Sequence, residues 1–301
     1  MTMPSTIEIV EVSPRDGLQN EARLLSTEDK LALIHKAVDA GVRRIEVASF
    51  VHPKRVPQMA DAEAVCAGLP KNSEAIWVGL ALNRRGVERA LATQINEIGA
   101  VVCASDGFAS ANQGCSAEQT IEDAIEIITM ARAAGRRAQA TISVAFGCPF
   151  DGEIAIDRVA DIARRLAAAH PHEIALGDTI GVATPRHVQQ LMAAVRSAAP
   201  AIPLRMHFHD TRNSAIANAW VALEAGAATL DSSIGGSGGC PFAPGASGNV
   251  ATEDLLYMLG RSGIASGIDL SNIISAAHWL SERLDRQLPG SLGRAAPFPS
   301  L

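Results

Sequence analysis

The chain has 301 residues, which suits one large α/β domain or two ordinary ones, and its net charge of −6 with no long basic run argues against a nucleic-acid or anionic-membrane surface as the main partner. Hydrophobic residues make up 48% but aromatics only 4%, so the core must be mostly Ala, Val, Ile and Leu, and no run of about 18 apolar residues is present to span a membrane. The five cysteines form no CxxC pair, which favours a reducing compartment over a disulfide framework, and MTMPSTIEIV lacks the form of a signal peptide, so the expected location is cytoplasmic.

Taken in chain order, strand-like apolar runs alternate with helix-like periodic segments. The predicted strands are Ile7–Val12, Arg44–Ser49, Ala75–Leu82, Ile98–Ala104, Ala138–Ala145, Glu173–Leu176, Leu204–Phe208 and Thr229–Ser233. Helices are predicted to begin near Thr27, Val56, Asn83, Ala117, Asp157, Thr184, Asn213 and Thr252. Start signals stand at Ser26-Thr27-Glu28-Asp29, Ser116-Ala117-Glu118-Gln119 and Thr184-Pro185, and Gly41, Gly135 and Gly226 end helices. Eight β-then-α units over about 260 residues have the count and length of a (β/α)8 TIM barrel. A doubly wound sheet is the runner-up, lowered because no GxGxxG follows the first strand. We therefore expect a single catalytic domain over 1–301, with the barrel at 7–262. An additional helix at 268–287 would carry Trp279, Leu280 and Leu284 on its apolar face, and a flexible tail would follow at 289–301. That helix could cover the barrel or make a homodimer contact.

In a barrel of this kind the chemistry sits at the C-terminal ends of the strands. Unusual polar residues collect there. The first strand runs into Arg15, Asp16 and Gln19, the second carries Glu46 in an apolar run, and the sixth runs into Asp178. The seventh ends in His207 and His209, which share one strand face, and the eighth leads to Cys240 and Asn249. Each has a bland reading: Arg15-Asp16 as a surface pair, Asp178 as a turn or cap, Glu46 as a satisfied structural carboxylate, Asn249 as a loop stabiliser. Five such features on one rim favour a site. Asp16, His207, His209 and Asn249 together suit an octahedral Mg²⁺ or Mn²⁺. Fe(II) or a catalytic Zn²⁺ also fits two histidines and a carboxylate. Cys240, in a Gly-rich loop, fits a mobile catalytic group better than a fixed ligand. Cys66 and Cys103 read as core, and Cys148 in Gly147-Cys148-Pro149-Phe150 as structural. The basic pairs Lys54-Arg55 and Arg84-Arg85 suit either an anionic ligand or ordinary surface.

Five motifs, in order, resemble the 3-hydroxy-3-methylglutaryl-CoA (HMG-CoA) lyase family. They are Ser13-Pro-Arg-Asp-Gly-Leu-Gln-Asn-Glu21, Ser49-Phe50-Val51 with Val56-Pro57-Gln58-Met59, Leu176-Gly-Asp-Thr-Ile-Gly181, His207-Phe-His-Asp-Thr211, and Gly238-Gly-Cys-Pro-Phe242 through Gly245-Ala-Ser-Gly-Asn249 to Asp254. The likeness runs from about Ile7 to Leu259. It implies a (β/α)8 barrel with Mg²⁺ or Mn²⁺ on Asp16, His207, His209 and Asn249. It implies catalytic roles for Arg15, Asp16, Glu46, Asp178, His207 and Cys240, and substrate binding by Arg15 and Gln19. The implied partner is an acyl-CoA substrate. The implied reaction is retro-Claisen cleavage of HMG-CoA to acetyl-CoA and acetoacetate, with Arg15 stabilising the enolate, Cys240 protonating it, and Asp16, His207 or a nearby carboxylate taking the hydroxyl proton. Related 3-hydroxyacyl-CoA substrates, such as citramalyl-CoA or an isoprenoid-derived hydroxyglutaryl-CoA, are the first alternative. A Claisen-type synthase, a non-catalytic metal- or CoA-binding barrel and an Fe(II) oxygenase rank below it. The chain departs from the family pattern at Ser105–Ser116 and at Ala22, positions that bear on acyl specificity and CoA contacts.

Overall fold

Eight short strands account for the centre of the molecule: β1 Glu8–Glu11, β2 Arg44–Ser49, β3 Ile76–Ala81, β4 Glu97–Cys103, β5 Arg137–Ser143, β6 Ile174–Asp178, β7 Leu204–Phe208 and β8 Thr229–Ser232. The computed structural model describes residues 3–71, 73–239 and 248–295. Every strand pairs in parallel with its neighbours in sequence, and β8 returns to β1, with Glu8 opposite Thr229 and Glu11 opposite Ser232. A doubly wound sheet has two edges; this sheet has none, so the barrel reading holds.

Helices follow the strands: α1 Thr27–Asp39, α2 Ala62–Gly68, α3 Arg84–Leu91, α4 Asp106–Gln113, α5 Ala117–Ala133, α6 Ile156–Ala167, α7 Pro185–Ala198, α8 Ala215–Glu224, α9 Thr252–Arg261 and α10 Leu270–Leu284. The start signals act as expected: Ser26, Ser116 and Thr184 accept hydrogen bonds from Asp29, Gln119 and His187 N–H. Two details differ from the sequence reading. The helix expected near Val56 is a single 3₁₀ turn, Pro57–Met59, before α2, because proline opens the turn there. The other is α4, which the sequence reading did not anticipate. Ser105 caps its start and Gly114 ends it in the left-handed conformation at φ 77°. Its small, mixed residues carry almost no apolar periodicity.

α10 packs on α1, α9 and the turn Ile234–Gly236 of the same chain. Ile273, Leu280 and Leu284 are buried, each such side chain worth about 1.5–3 kcal/mol of hydrophobic stabilisation. Trp279 is half-buried under the cations of Lys36 and Arg283. The segment expected to be a free tail is held as far as residue 295. Gly290 N–H donates to Gly235 O at 2.9 Å, and the Ser291 and Leu292 N–H groups donate to the Asp254 carboxylate at 2.8 and 2.7 Å. Among the described residues no helix is long and apolar enough to cross a membrane.

The buried core, in the layer between barrel and helices, is mostly Ala, Val, Ile and Leu, as composition suggested, while the barrel lumen carries charged side chains. Inside the barrel, Arg44 of β2 pairs with Glu97 of β4, Glu173 beside β6 and, at 3.0 Å, Glu8 of β1. Contacts across non-neighbouring strands can run only through the lumen. Alternation sends Arg44 and Glu46, Gln139 and Thr141, Arg205 and His207, and Thr229 and Asp231 inward in pairs.

Candidate metal and substrate site

The site begins with a tight backbone device. After β1 the chain makes one π-helical turn, Ser13–Gly17, closed by Gly17 N–H donating to Val12 O at 3.1 Å. The turn presents Arg15 and Asp16 at the barrel mouth. Gly17 must be glycine, since a Cβ there would strike the Ser237 and Ser233 hydroxyls. Those serines lie in the segment after β8, so the absent side chain lets the first and last rim loops touch.

Arg15 Nη1 donates to Asp16 Oδ1 at 2.7 Å and Nη2 to Glu46 Oε2 at 2.6 Å. Burial disfavours the charged guanidinium, but Glu46 and Asp16 more than offset this and hold Arg15 firmly protonated. Burial would likewise push the Asp16 carboxyl up. Arg15, His207, His209 and the Asn249 amide together hold it well below the usual carboxylate range. Asp16 therefore stays an anion.

β7 delivers His207, and His209 follows it on the same face, with ring centroids 5.2 Å apart. His209 Nε2 lies 3.9 Å from Asp16 Oδ2. Asp16, His207 and His209 offer ligand atoms that all lie within 4.8 Å of one another. Asn249 bridges antiparallel to His209, and its Nδ2 donates to Asp16 Oδ2 at 2.8 Å and to Ser237 O at 3.1 Å. Burial and the His207 charge push His209 down to about 4, so its ring is neutral and keeps a lone pair. Burial alone would lower His207 too, but the Asp231 carboxylate on its Nδ1, at 3.0 Å, raises it.

These donors fit a divalent cation. One anionic carboxylate, two imidazoles and a side-chain amide converge, and His209 Nδ1 and Asn249 Oδ1 are buried without hydrogen-bond partners among the described residues. An amide oxygen with unspent lone pairs beside a carboxylate is a hard-cation donor.

A cleft of about 520 Å³ opens over the cluster. Its charged side holds Arg15, Asp16, Glu46, His207 and His209, and its apolar wall includes Val51, Leu80, Val101 and Phe108. Gln19 also lines it. Phe108, Ala111 and Asn112 place the departing segment 105–116 on the cleft wall, and Arg55 lies on the rim. Arg84 instead pairs with Glu126 on the surface.

Asp178 is not brought into the cluster by its side chain. Its two oxygens accept from Val182 and Ala183 N–H at 2.8 and 3.1 Å, the bland loop-holding role, and burial pushes it up to about 6 against those two bonds. Only its carbonyl reaches the site, accepting from His209 N–H at 3.4 Å. Cys240 lies outside the described residues; its neighbour Gly239 lines the cleft. Cys66 and Cys103 are core, and Cys148 is buried under the Ser105 hydroxyl at 3.0 Å. Two charged neighbours of the cluster escaped the sequence reading, Arg205 and Asp231, both on lumen-facing positions of predicted strands. Strand alternation was the signal that could have found them.

A closed (β/α)8 barrel carrying a carboxylate–imidazole cluster and a clamped arginine at one cleft has the form of a metal-dependent barrel enzyme. The chain belongs to the HMGL-like family, whose model matches residues 6–280. It is 41% identical over 294 residues to the mitochondrial hydroxymethylglutaryl-CoA lyase of Rattus norvegicus, covering 98% of this chain and 90% of that protein. The solved HMG-CoA lyase of Bacillus subtilis superposes with a TM-score of 0.94 at 38% identity, covering 98% and 99% of the two chains. An HMG-CoA lyase of Acinetobacter baumannii, solved with coenzyme A and 3-methylmalate, gives a TM-score of 0.92 at 37% identity over 99% and 100%.

Proposed function

We propose that the protein is a divalent-metal-dependent carbon–carbon lyase that cleaves 3-hydroxy-3-methylglutaryl-CoA to acetyl-CoA and acetoacetate. The observation that carries this reading is the convergence of Asp16, His207 and His209 within 4.8 Å, beside Asn249 and an arginine clamped to Glu46, in a chain of the HMGL-like family. Asp16, His207, His209 and Asn249 would hold Mg²⁺ or Mn²⁺, which when bound supplies Lewis-acid polarisation of substrate oxygens.

The protein's own groups account for the rest. The substrate's tertiary hydroxyl gives up its proton to a rim base: Asp16, His207 or a nearby carboxylate. The C2–C3 bond then breaks, its electron pair passing to C2, α to the thioester, and into the thioester carbonyl as an enolate, while the hydroxyl carbon becomes the ketone of acetoacetate. Arg15 is held by Glu46 with its charge toward the cleft, where it stabilises the enolate. Cys240, one residue beyond Gly239 on the cleft edge, supplies the proton that completes acetyl-CoA. Gln19 contacts the acyl-CoA. Asp178 fixes the loop before α7 and, through its carbonyl, the backbone of His209.

A related 3-hydroxyacyl-CoA is the second reading. It is favoured by the 3-methylmalate held in the Acinetobacter baumannii relative and by the divergent wall at 105–116. The test is incubation with HMG-CoA and Mg²⁺ or Mn²⁺, with and without chelator, beside a panel of 3-hydroxyacyl-CoA thioesters. Chelator-sensitive acetoacetate release is expected. Acetyl-CoA released only from another thioester would transfer the assignment to the second reading, and release from none would reject the lyase reading.

A further inference from the structure

Arg205 stands two residues before His207 in β7, on the same face of the strand. It is 3% exposed and is held from three sides of the barrel. Its Nη2 donates to Gln139 Oε1 and, at 3.2 Å, to Thr141 Oγ1, both on β5. Nη1 lies 3.3 Å from Asp231 Oδ1 on β8, and Nε lies 3.4 Å from Glu173 Oε1, which Arg44 also grips. Asp231 then meets His207 Nδ1 through its other oxygen at 3.0 Å.

We infer that Arg205 is a positioning residue for the rim site, acting through Asp231 to fix the ring and tautomer of His207. The inference rests on the reading of Asp16, His207, His209 and Asn249 as a cation site. Arg205 lines the cleft beside His207, but its Nη2 is spent on Gln139 and Thr141 of β5 and its Nη1 faces Asp231, so it meets His207 through Asp231. Its geometric effect falls on Asp231, whose Oδ1 has no hydrogen-bonded partner among the described residues and lies 3.3 Å from this guanidinium. A carboxylate torsion is broad, so the carboxylate needs that charge to keep Oδ2 on His207. A carboxylate only accepts hydrogen bonds; opposite it, Nδ1 carries the hydrogen and Nε2 keeps the lone pair. Partners that orient a ligating histidine in this way change metal affinity about 10–100-fold when removed.

The experiment combines histidine ring ¹⁵N NMR of the cation-free protein with calorimetric Mn²⁺ titration, for the parent, Arg205→Met, Arg205→Lys, Asp231→Asn and the Arg205→Met/Asp231→Asn double variant. The parent should show His207 protonated at Nδ1. Arg205→Met should lose that signature and bind Mn²⁺ about 10–100-fold more weakly. Arg205→Lys should restore part of both. The double variant should bind no more weakly than the poorer single one, because both changes break one chain of contacts. A parent-like tautomer and Mn²⁺ affinity in Arg205→Met would overturn the inference, as would additive losses in the double variant. If Arg205→Met fails to fold, Arg205→Lys and Asp231→Asn make the same comparison. A lower melting temperature with an unchanged tautomer would mean a merely structural role. A parent that binds no Mn²⁺ would refute the cation-site reading, while the NMR comparison would still judge Arg205.

Discussion

Glu253 of α9 lies beneath the segment that leads to the cysteine loop, and replacing it with glutamine should make the protein more stable in mild alkali. Its side chain is buried, at 1% exposure, with Oε2 accepting from Gly235 N–H at 3.0 Å and Oε1 against the backbone of Gly290. Burial pushes its carboxyl from the ordinary 4.5 up to about 7; hydrogen bonds from its own and the Gly235 N–H oppose this, and Asp254 and Glu11 add to it. The native state thus prefers the protonated acid, whereas the unfolded chain ionises near the ordinary value. This contribution is fully present below about pH 4.5 and is lost as pH rises through about 7, a difference of about 3 kcal/mol once both states are ionised. Glu253→Gln imitates the protonated acid and keeps an acceptor for Gly235. Urea unfolding should find the variant equal to the parent near pH 4.5 and about 3 kcal/mol more stable near pH 8. An unchanged pH dependence, or a variant less stable than the parent at pH 8, would refute the reasoning.

Three further outcomes follow from the rim. Arg15→Met should leave the fold intact and lower kcat about 10²–10³-fold in a steady-state acetoacetate assay, with Arg15→Lys restoring little because the clamp uses two guanidinium nitrogens. Gly17→Ala forces a methyl group against Ser233 and Ser237 and should cost about 1–3 kcal/mol in chemical denaturation while weakening Mn²⁺ binding, since Asp16 sits on the displaced turn. Cys240→Ala should lower turnover at least about 10²-fold without changing calorimetric Mn²⁺ affinity; near-parental turnover would remove the thiol from the reaction.

The barrel was legible because its signals are local. Each strand is a short apolar run, and Ser26, Ser116 and Thr184 cap helices where the sequence places them. The rim cluster was legible for a similar reason: Asp16, His207, His209 and Asn249 each stand at or just beyond a strand end. What the sequence concealed depends on pairs distant along the chain. Arg205 and Asp231 look like isolated charges in apolar strands until barrel closure sets them 3.3 Å apart in the lumen. Asp178 carries a rim address, yet its carboxylate turns to the backbone of Val182 and Ala183, a choice of rotamer that spacing does not encode. α4 escaped notice because its Gly, Ala and Ser residues give no apolar stripe, although its Ser105 cap was present. The hold on residues 289–295 comes from Gly235 and Asp254, partners remote in sequence.

Anomalous diffraction from crystals grown with Mn²⁺ tests the metal centre most directly. The account predicts one anomalous peak bounded by the Asp16 carboxylate, the His207 and His209 rings and the Asn249 amide oxygen, and its loss in Asp16→Ala. A peak at another place in the cleft, or none among these four side chains at saturating Mn²⁺, would contradict it.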